Sequence, residues 1–273
     1  MTVAPTRKRF MLPIVIFVLL CGGVWFWAQN VETVLGDPTW ILGWILTASV
    51  ILPSFFNLRK RLIAFNFGSA SVWLTLHVAS GIAAIILFVL HTDGIWPTGI
   101  YEQLMATLFA AITLTGLCGL WTQLVLPRRL TETGHEYVYE KIPGTVADLR
   151  DAARQAVKTY TEATGSELLS HHYEKSLDWY FARPRFFWNN VFGGNAAWAW
   201  ANAHMIAIRR FADPLQSATI DSIENLVSTK VVVDQHYACQ SVLKRWLLAH
   251  VPLSTAFLVV VAWHIVIVHV YAS

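Results

Sequence analysis

The stretch that decides the reading is VWLTLHVASGIAAIILFVLH, residues 72–91, which has no Asp, Glu, Lys or Arg and carries His77 and His91. A helix rising about 1.5 Å per residue needs roughly 20 residues to cross a hydrocarbon core about 30 Å thick. The same reading applies to WLLAHVPLSTAFLVVVAWHIVIVHVY, residues 246–271, which carries His250 and His264. Each pair has the pattern H-x13-H, with the second histidine at i+14 from the first. At about 100° per residue, that spacing brings the second side chain back to within about 40° of the first, some 21 Å further along the axis. Each helix then presents two imidazoles on one face, one toward each membrane surface.

Three further charge-free runs are long enough to span, at about 10–28, 40–58 and 104–126, and several runs have Trp or Tyr near an end. The whole chain agrees: of 273 residues, 55% are hydrophobic and 14% charged, and the mean hydropathy is +0.48. This composition excludes a disordered chain, and 15 Gly and 3 Cys exclude a collagen and a disulfide scaffold. The cysteines, Cys21, Cys118 and Cys239, form no CxxC pair, so zinc knuckles, iron–sulfur clusters and covalent haem attachment lack support. Cys21 and Cys118 read as buried small hydrophobes. A net charge of +3 is too mild to call for a nucleic-acid partner. The first run follows Arg7, Lys8 and Arg9; it reads as an anchor rather than a cleaved leader, because it is long and no A-x-A site follows.

All 20 Lys and Arg fall at the N-terminus, between the second and third runs, or between the fourth and fifth. The positive-inside rule therefore predicts a multi-pass protein of a bacterial-type cytoplasmic (inner) membrane, N-terminus cytoplasmic and C-terminus outside. The expected fold is an all-α polytopic bundle of five spans. Residues 1–126 hold the first four, 127–245 form a mostly helical cytoplasmic insert, and 246–273 supply the fifth. In the insert, Thr145 with Asp148 resembles a capping box, and Val146, Leu149, Ala153, Ala156 and Tyr160 recur at helical spacing before Gly165. Asp213-Pro214 followed by Ile220, Ile223 and Val227 predicts a second helix leading toward the last span. Residues 186–208 are charge-free and long enough to cross, but Asn189, Asn190, Asn195, Asn202, His204 and Gly193-Gly194 load them with polar groups and a break. They read as an aromatic-rich segment at the cytoplasmic membrane surface. If they crossed, the fifth span would reverse.

Ionisable groups inside spans are costly and imply use. With spans three and five parallel, His77 is level with His250 toward the cytoplasmic side, and His91 with His264 toward the outer side. Two facing neutral imidazoles can ligate one haem iron from both faces of the porphyrin. The spacing predicts two stacked bis-histidine b haems, His77 and His250 holding the inner iron and His91 and His264 the outer. Gly81, Gly116 and Gly119 leave room for a macrocycle or for close helix packing. His269 lies about 100° off the His250 face and reads as interfacial. His135, His171, His172, His204 and His236 read as ordinary polar residues of the insert, although His236 beside Gln235 can approach a quinone headgroup.

The paired H-x13-H spacing, His77 with His91 and His250 with His264, resembles the dihaem cytochrome b subunits of respiratory membrane complexes. It covers the third and fifth spans, roughly a sixth of the chain. The resemblance implies an electron-transfer subunit of an oxidoreductase complex, linked to the quinone pool and to other redox subunits. The insert has no counterpart in that family, and no quinol-site signature is present. A second reading stays open: a transporter or metal- or proton-handling protein using its intramembrane histidines.

Overall fold

The structure is a computed structural model, which describes residues 39–61, 70–211 and 217–271, with Val15, Leu19, Gly22, Gly23 and Phe26 as isolated helical positions. Most of the expected first span, the loop after it and Asp213-Pro214 lie outside the described residues. Among those described, every regular element is helical: α1 (Thr39–Arg61), α2 (Ala70–His91), α3 (Ile100–Glu132), α4 (Ile142–Thr164), α5 (Leu168–His172), α6 (Asp178–Phe181), α7 (Phe187–Phe192), α8 (Ala196–Phe211) and α9 (Ser217–Tyr271). Helices α2, α3 and α9 are long and apolar enough to cross a membrane, and α1 contributes a shorter apolar helix, Thr39–Phe55. The chain divides into two compact units, Met1–Leu120 with Leu248–Ser273, and Trp121–Leu247.

In the first unit α1 packs along α2. Leu42, Ile45 and Leu46, early in α1, meet Ala83, Ile86, Leu87 and Leu90, late in α2, so the two helices run antiparallel. Ala79, Ala83 and Ala84 are buried, and such small residues let helices approach closely. Ala84, Phe109 and Phe257 form a central knot with Leu46, Val50 and Val261, bringing all four helices together. Large apolar side chains such as Leu114, Val259 and Trp263 are exposed on the outside of this unit. Cys118 is also exposed, not buried as expected from its apolar setting. In a helix destined for lipid, an apolar neighbourhood in sequence does not distinguish the inward face from the outward one.

The second unit has a different core. Ile142, Val146, Leu149, Ala153, Val157 and Tyr160 line one face of α4 and pack with Tyr180, Phe181, Met205, Ile223 and Val227. The expected capping box is absent: Lys141 is the N-cap with no side-chain bond, and the Thr145 hydroxyl donates to the Lys141 carbonyl. Pro143 at the helix start makes that box unnecessary, since its ring already fixes a helical φ. Residues 186–208 do not form one spanning helix. They fold as α7 and α8, broken at Gly193, with Ala197, Ala201, Met205 and Ile208 buried in this core. Gly193 is favoured there by its φ of +77°, and the Arg129 guanidinium lies over it, 2.7 Å from where a β-carbon would stand. The expected last span lies within a longer helix: α9 is continuous from Ser217 to Tyr271, with Pro252 inside it.

Several charged groups in the second unit are paired. Lys230 and Asp234, one turn apart on α9 and both fully buried, meet at 2.5 Å. The Asp234 carboxylate also accepts the Arg185 backbone N–H at 3.1 Å. Arg150 and Arg154 both donate to Asp178 and, Arg150 first, hold its carboxyl below the ordinary value of 3.8. Because the folded chain binds that proton less tightly than the unfolded one, this contribution is full above about pH 4 and is lost as pH falls through the folded value. The stability difference between wild type and Asp178→Asn therefore shrinks in thermal melts taken progressively below about pH 4. A difference constant down to the acid limit contradicts the pairing.

Candidate functional site

The four histidines selected from the sequence all line cavities of the first unit. His77 and His250 share one cavity of about 390 Å³ with Pro53, Gly81, Phe109 and Gly116. His91 and His264 share a second of about 400 Å³ with Trp40, Gly43, Trp44, Glu102 and His269. Both volumes fall in the range of roughly 300–1,000 Å³ typical of cofactor pockets. Phe257, midway in sequence between His250 and His264, lines both cavities. With Phe109, whose ring lies 5.7 Å from it, and Phe88, stacked on Phe109 at 4.4 Å, it forms an aromatic layer between the two.

In the first cavity the hydrogen bonds assign the ring tautomers. The Pro53 carbonyl can only accept, so the His77 Nδ1–H donates to it, at 3.2 Å. The Thr115 hydroxyl donates to the Ala111 carbonyl and so receives the His250 Nδ1–H at 2.9 Å. Both imidazoles then carry their lone pair on Nε2. An N–H anchored by a carbonyl or hydroxyl is the usual state of a metal-ligating histidine, because it fixes the ring and raises its basicity.

The ring centroids of His77 and His250 are 6.2 Å apart with planes at 66°. A metal–imidazole nitrogen bond is about 2 Å, which puts each ring centre about 3.1 Å from the metal and a trans pair about 6.2 Å apart. The centroid separation of the pair equals that length. A macrocycle also needs open space beside the rings. A β-carbon at Gly81 would meet nothing within 4 Å, and one at Gly116 would come only to 3.7 Å from His250.

The second cavity is more crowded. A β-carbon at Gly43 would sit 3.1 Å from His91 Cε1, so any larger residue there would push that imidazole away from α1 by a few tenths of an ångström. His264 stacks on Tyr101 at 6.3 Å and 17°, and the Tyr101 hydroxyl donates to the Val260 carbonyl at 2.7 Å, one turn before His264. His269, read from the sequence as interfacial, is exposed and also lines this cavity, with its ring edge-on to Trp40 at 4.9 Å. Its angular offset from His250 is real, but α1 approaches from that side, and a single-helix projection carries no information about neighbours. Gly43 is likewise missed by sequence reasoning, since a glycine in an apolar run has no distinguishing neighbours. Gly43→Ala is expected to displace the His91 imidazole, so that the His91 ring signal in the nuclear magnetic resonance spectrum of the purified protein moves while those of His77 and His250 stay in place; an unmoved His91 signal contradicts the contact.

The remaining histidines lie elsewhere. His236 is buried in the second unit, Nε2 facing the Thr133 hydroxyl at 2.9 Å and Nδ1 the Gln240 amide at 3.3 Å. Arg129 donates to the Val191 carbonyl, and Lys244 to Glu140. Among the described residues, no three His, Cys, Asp or Glu side chains come together to hold a bare metal ion. A haem needs only two protein ligands, because the porphyrin supplies four nitrogens.

No family model, no curated protein and no solved structure matches the chain. What the described residues define by themselves is a set of helices, three of them long and apolar enough to cross a membrane, and two histidine-lined cavities one above the other along α2 and α9.

Proposed function

We propose that this protein is a membrane cytochrome b subunit that carries electrons across the bilayer through two bis-histidine b haems, between the quinone pool and a partner redox subunit of a membrane complex. The observation that carries it is the sorting of the four histidines: two matched H-x13-H pairs line two separate cavities with one aromatic layer between them. His77 and His250 would hold the inner group, and His91 and His264 the outer. Bound haem would supply the one-electron couple, so no side chain need act as acid or base. The chain's own residues orient the ligands through Pro53 and Thr115, keep the cavities apolar, and fix the spacing along the membrane normal. The five-span topology, with the N-terminus cytoplasmic, belongs to the same proposal. It is supported by the confinement of Lys and Arg to alternate connections and by the apolar outer face of the helices.

A proton- or cation-handling protein is the competing reading, favoured by Glu102 beside His91, His264 and His269 in the outer cavity. Proteoliposomes separate the two. With ferricyanide trapped inside and a quinol analogue reductant outside, the protein is expected to reduce the trapped acceptor, and His91→Ala to abolish that transfer. Ferricyanide reduction no faster than in protein-free vesicles, together with pH equilibration across the same membranes, would support the competing reading.

A further inference from the structure

The second unit contains another histidine pair that the electron-transfer reading does not use. His172 ends α5, and His204 lies in the middle of α8; their ring centroids are 5.7 Å apart with planes at 52°. The His204 Nδ1–H donates to the Trp200 carbonyl at 2.9 Å, which leaves the lone pair on Nε2, and the ring is stacked on the Trp200 indole at 4.0 Å. That ring is anchored on one edge and pinned on one face. His172 Nε2 is shielded from solvent and has no hydrogen-bond partner. Leaving such a nitrogen unsatisfied costs roughly 1–3 kcal/mol, and a group of this kind calls for an explanation such as a bound ion. The backbone immediately after His172 widens into a π-helical turn, Tyr173–Leu177, a local distortion common at functional sites.

We propose that His172 and His204 form a binding site for a divalent, imidazole-preferring transition-metal ion of the zinc, copper or nickel type. With each ring centre about 3.1 Å from the metal, a tetrahedral angle puts the centroids about 5 Å apart and a trans arrangement about 6 Å. The observed separation of 5.7 Å lies between these limits. No third His, Cys, Asp or Glu joins them among the described residues, so water completes the coordination. Imidazole nitrogen with water suits the later first-row divalent ions more than calcium or magnesium, which take oxygen ligands. Lys175 is exposed and solvated, which weakens its repulsion of a bound cation.

The test uses the full chain, purified without a polyhistidine tag, titrated with Zn2+ against a chromophoric chelator, and with Cu2+ followed by electron paramagnetic resonance. Wild type is expected to bind one competitive equivalent of Zn2+ and to show two-nitrogen coordination of Cu2+. His172→Ala and His204→Ala are each expected to weaken that equivalent by about tenfold or more, and His171→Ala to leave it intact. His204→Gln, which keeps a polar group on Trp200, serves if the alanine variant does not fold. No competitive equivalent in wild type, or equal affinity in the His172 and His204 variants, overturns the site. Loss confined to His171→Ala also overturns it, since it would mark an exposed histidine. The visible spectrum of the same samples reports the membrane histidines separately, so this proposal and the electron-transfer reading fail independently.

Discussion

Replacing His250 by alanine is expected to remove one of two haems and spare the other. Its imidazole faces His77 across the inner cavity, and the opposite pair lies further along the same two helices, beyond Phe257. A haem held by one remaining imidazole loses its low-spin character or leaves, so the reduced α-band roughly halves in area. Extracted haem per chain falls in the same proportion. His264→Ala gives the mirror result, and the two residual spectra together reproduce that of the wild type. A substitution that removes both haems, in protein that keeps its helix content and detergent-solubilised size, would mean that the cavities are not independent. Removal of neither would mean that His250 is not a ligand.

The second large effect is on stability. Lys230→Met leaves the Asp234 carboxylate fully buried with only the Arg185 N–H as a partner, and is expected to destabilise the second unit by about 3–5 kcal/mol. Replacing both residues, Lys230→Met with Asp234→Leu, removes the ion pair without stranding a charge, and is expected to restore most of that loss. The measurement is the melting midpoint followed by near-ultraviolet circular dichroism, where the cluster of Tyr180, Trp200 and Phe186 dominates the second unit. If the single variant melts with the wild type, the buried pair contributes little. If the double variant melts no higher than the single one, the loss is one of packing rather than charge.

The helices long and apolar enough to cross a membrane, and the two histidine pairs on them, were legible in the sequence because a bilayer imposes a length and penalises polarity. Twenty charge-free residues read as a span, and an imidazole within them stands out. Spacing then sufficed to group His77 with His250 and His91 with His264, since α2 and α9 are regular over those residues. What spacing could not supply was the third dimension. His269 enters the outer cavity because of where α1 lies, and Gly43 matters because His91 rests on it. In the insert, periodicity located α4 and its buried face but omitted Val157, and a capping pattern of Thr145 with Asp148 stood where Pro143 already started the helix. The histidines His172 and His204 are far apart in the chain and share no pattern at all. Only folding α8 back against α5 brings them together.

The most direct test of the central claim is a dithionite-reduced minus oxidised visible spectrum of the purified, folded protein, with acid–acetone extraction to count haem per chain. Two non-covalent, low-spin b haems per chain is the result expected from two cavities that each hold a histidine pair. Well-folded protein that binds no haem, including after expression with ample haem supply, would contradict the account and leave the intramembrane histidines to proton or metal chemistry.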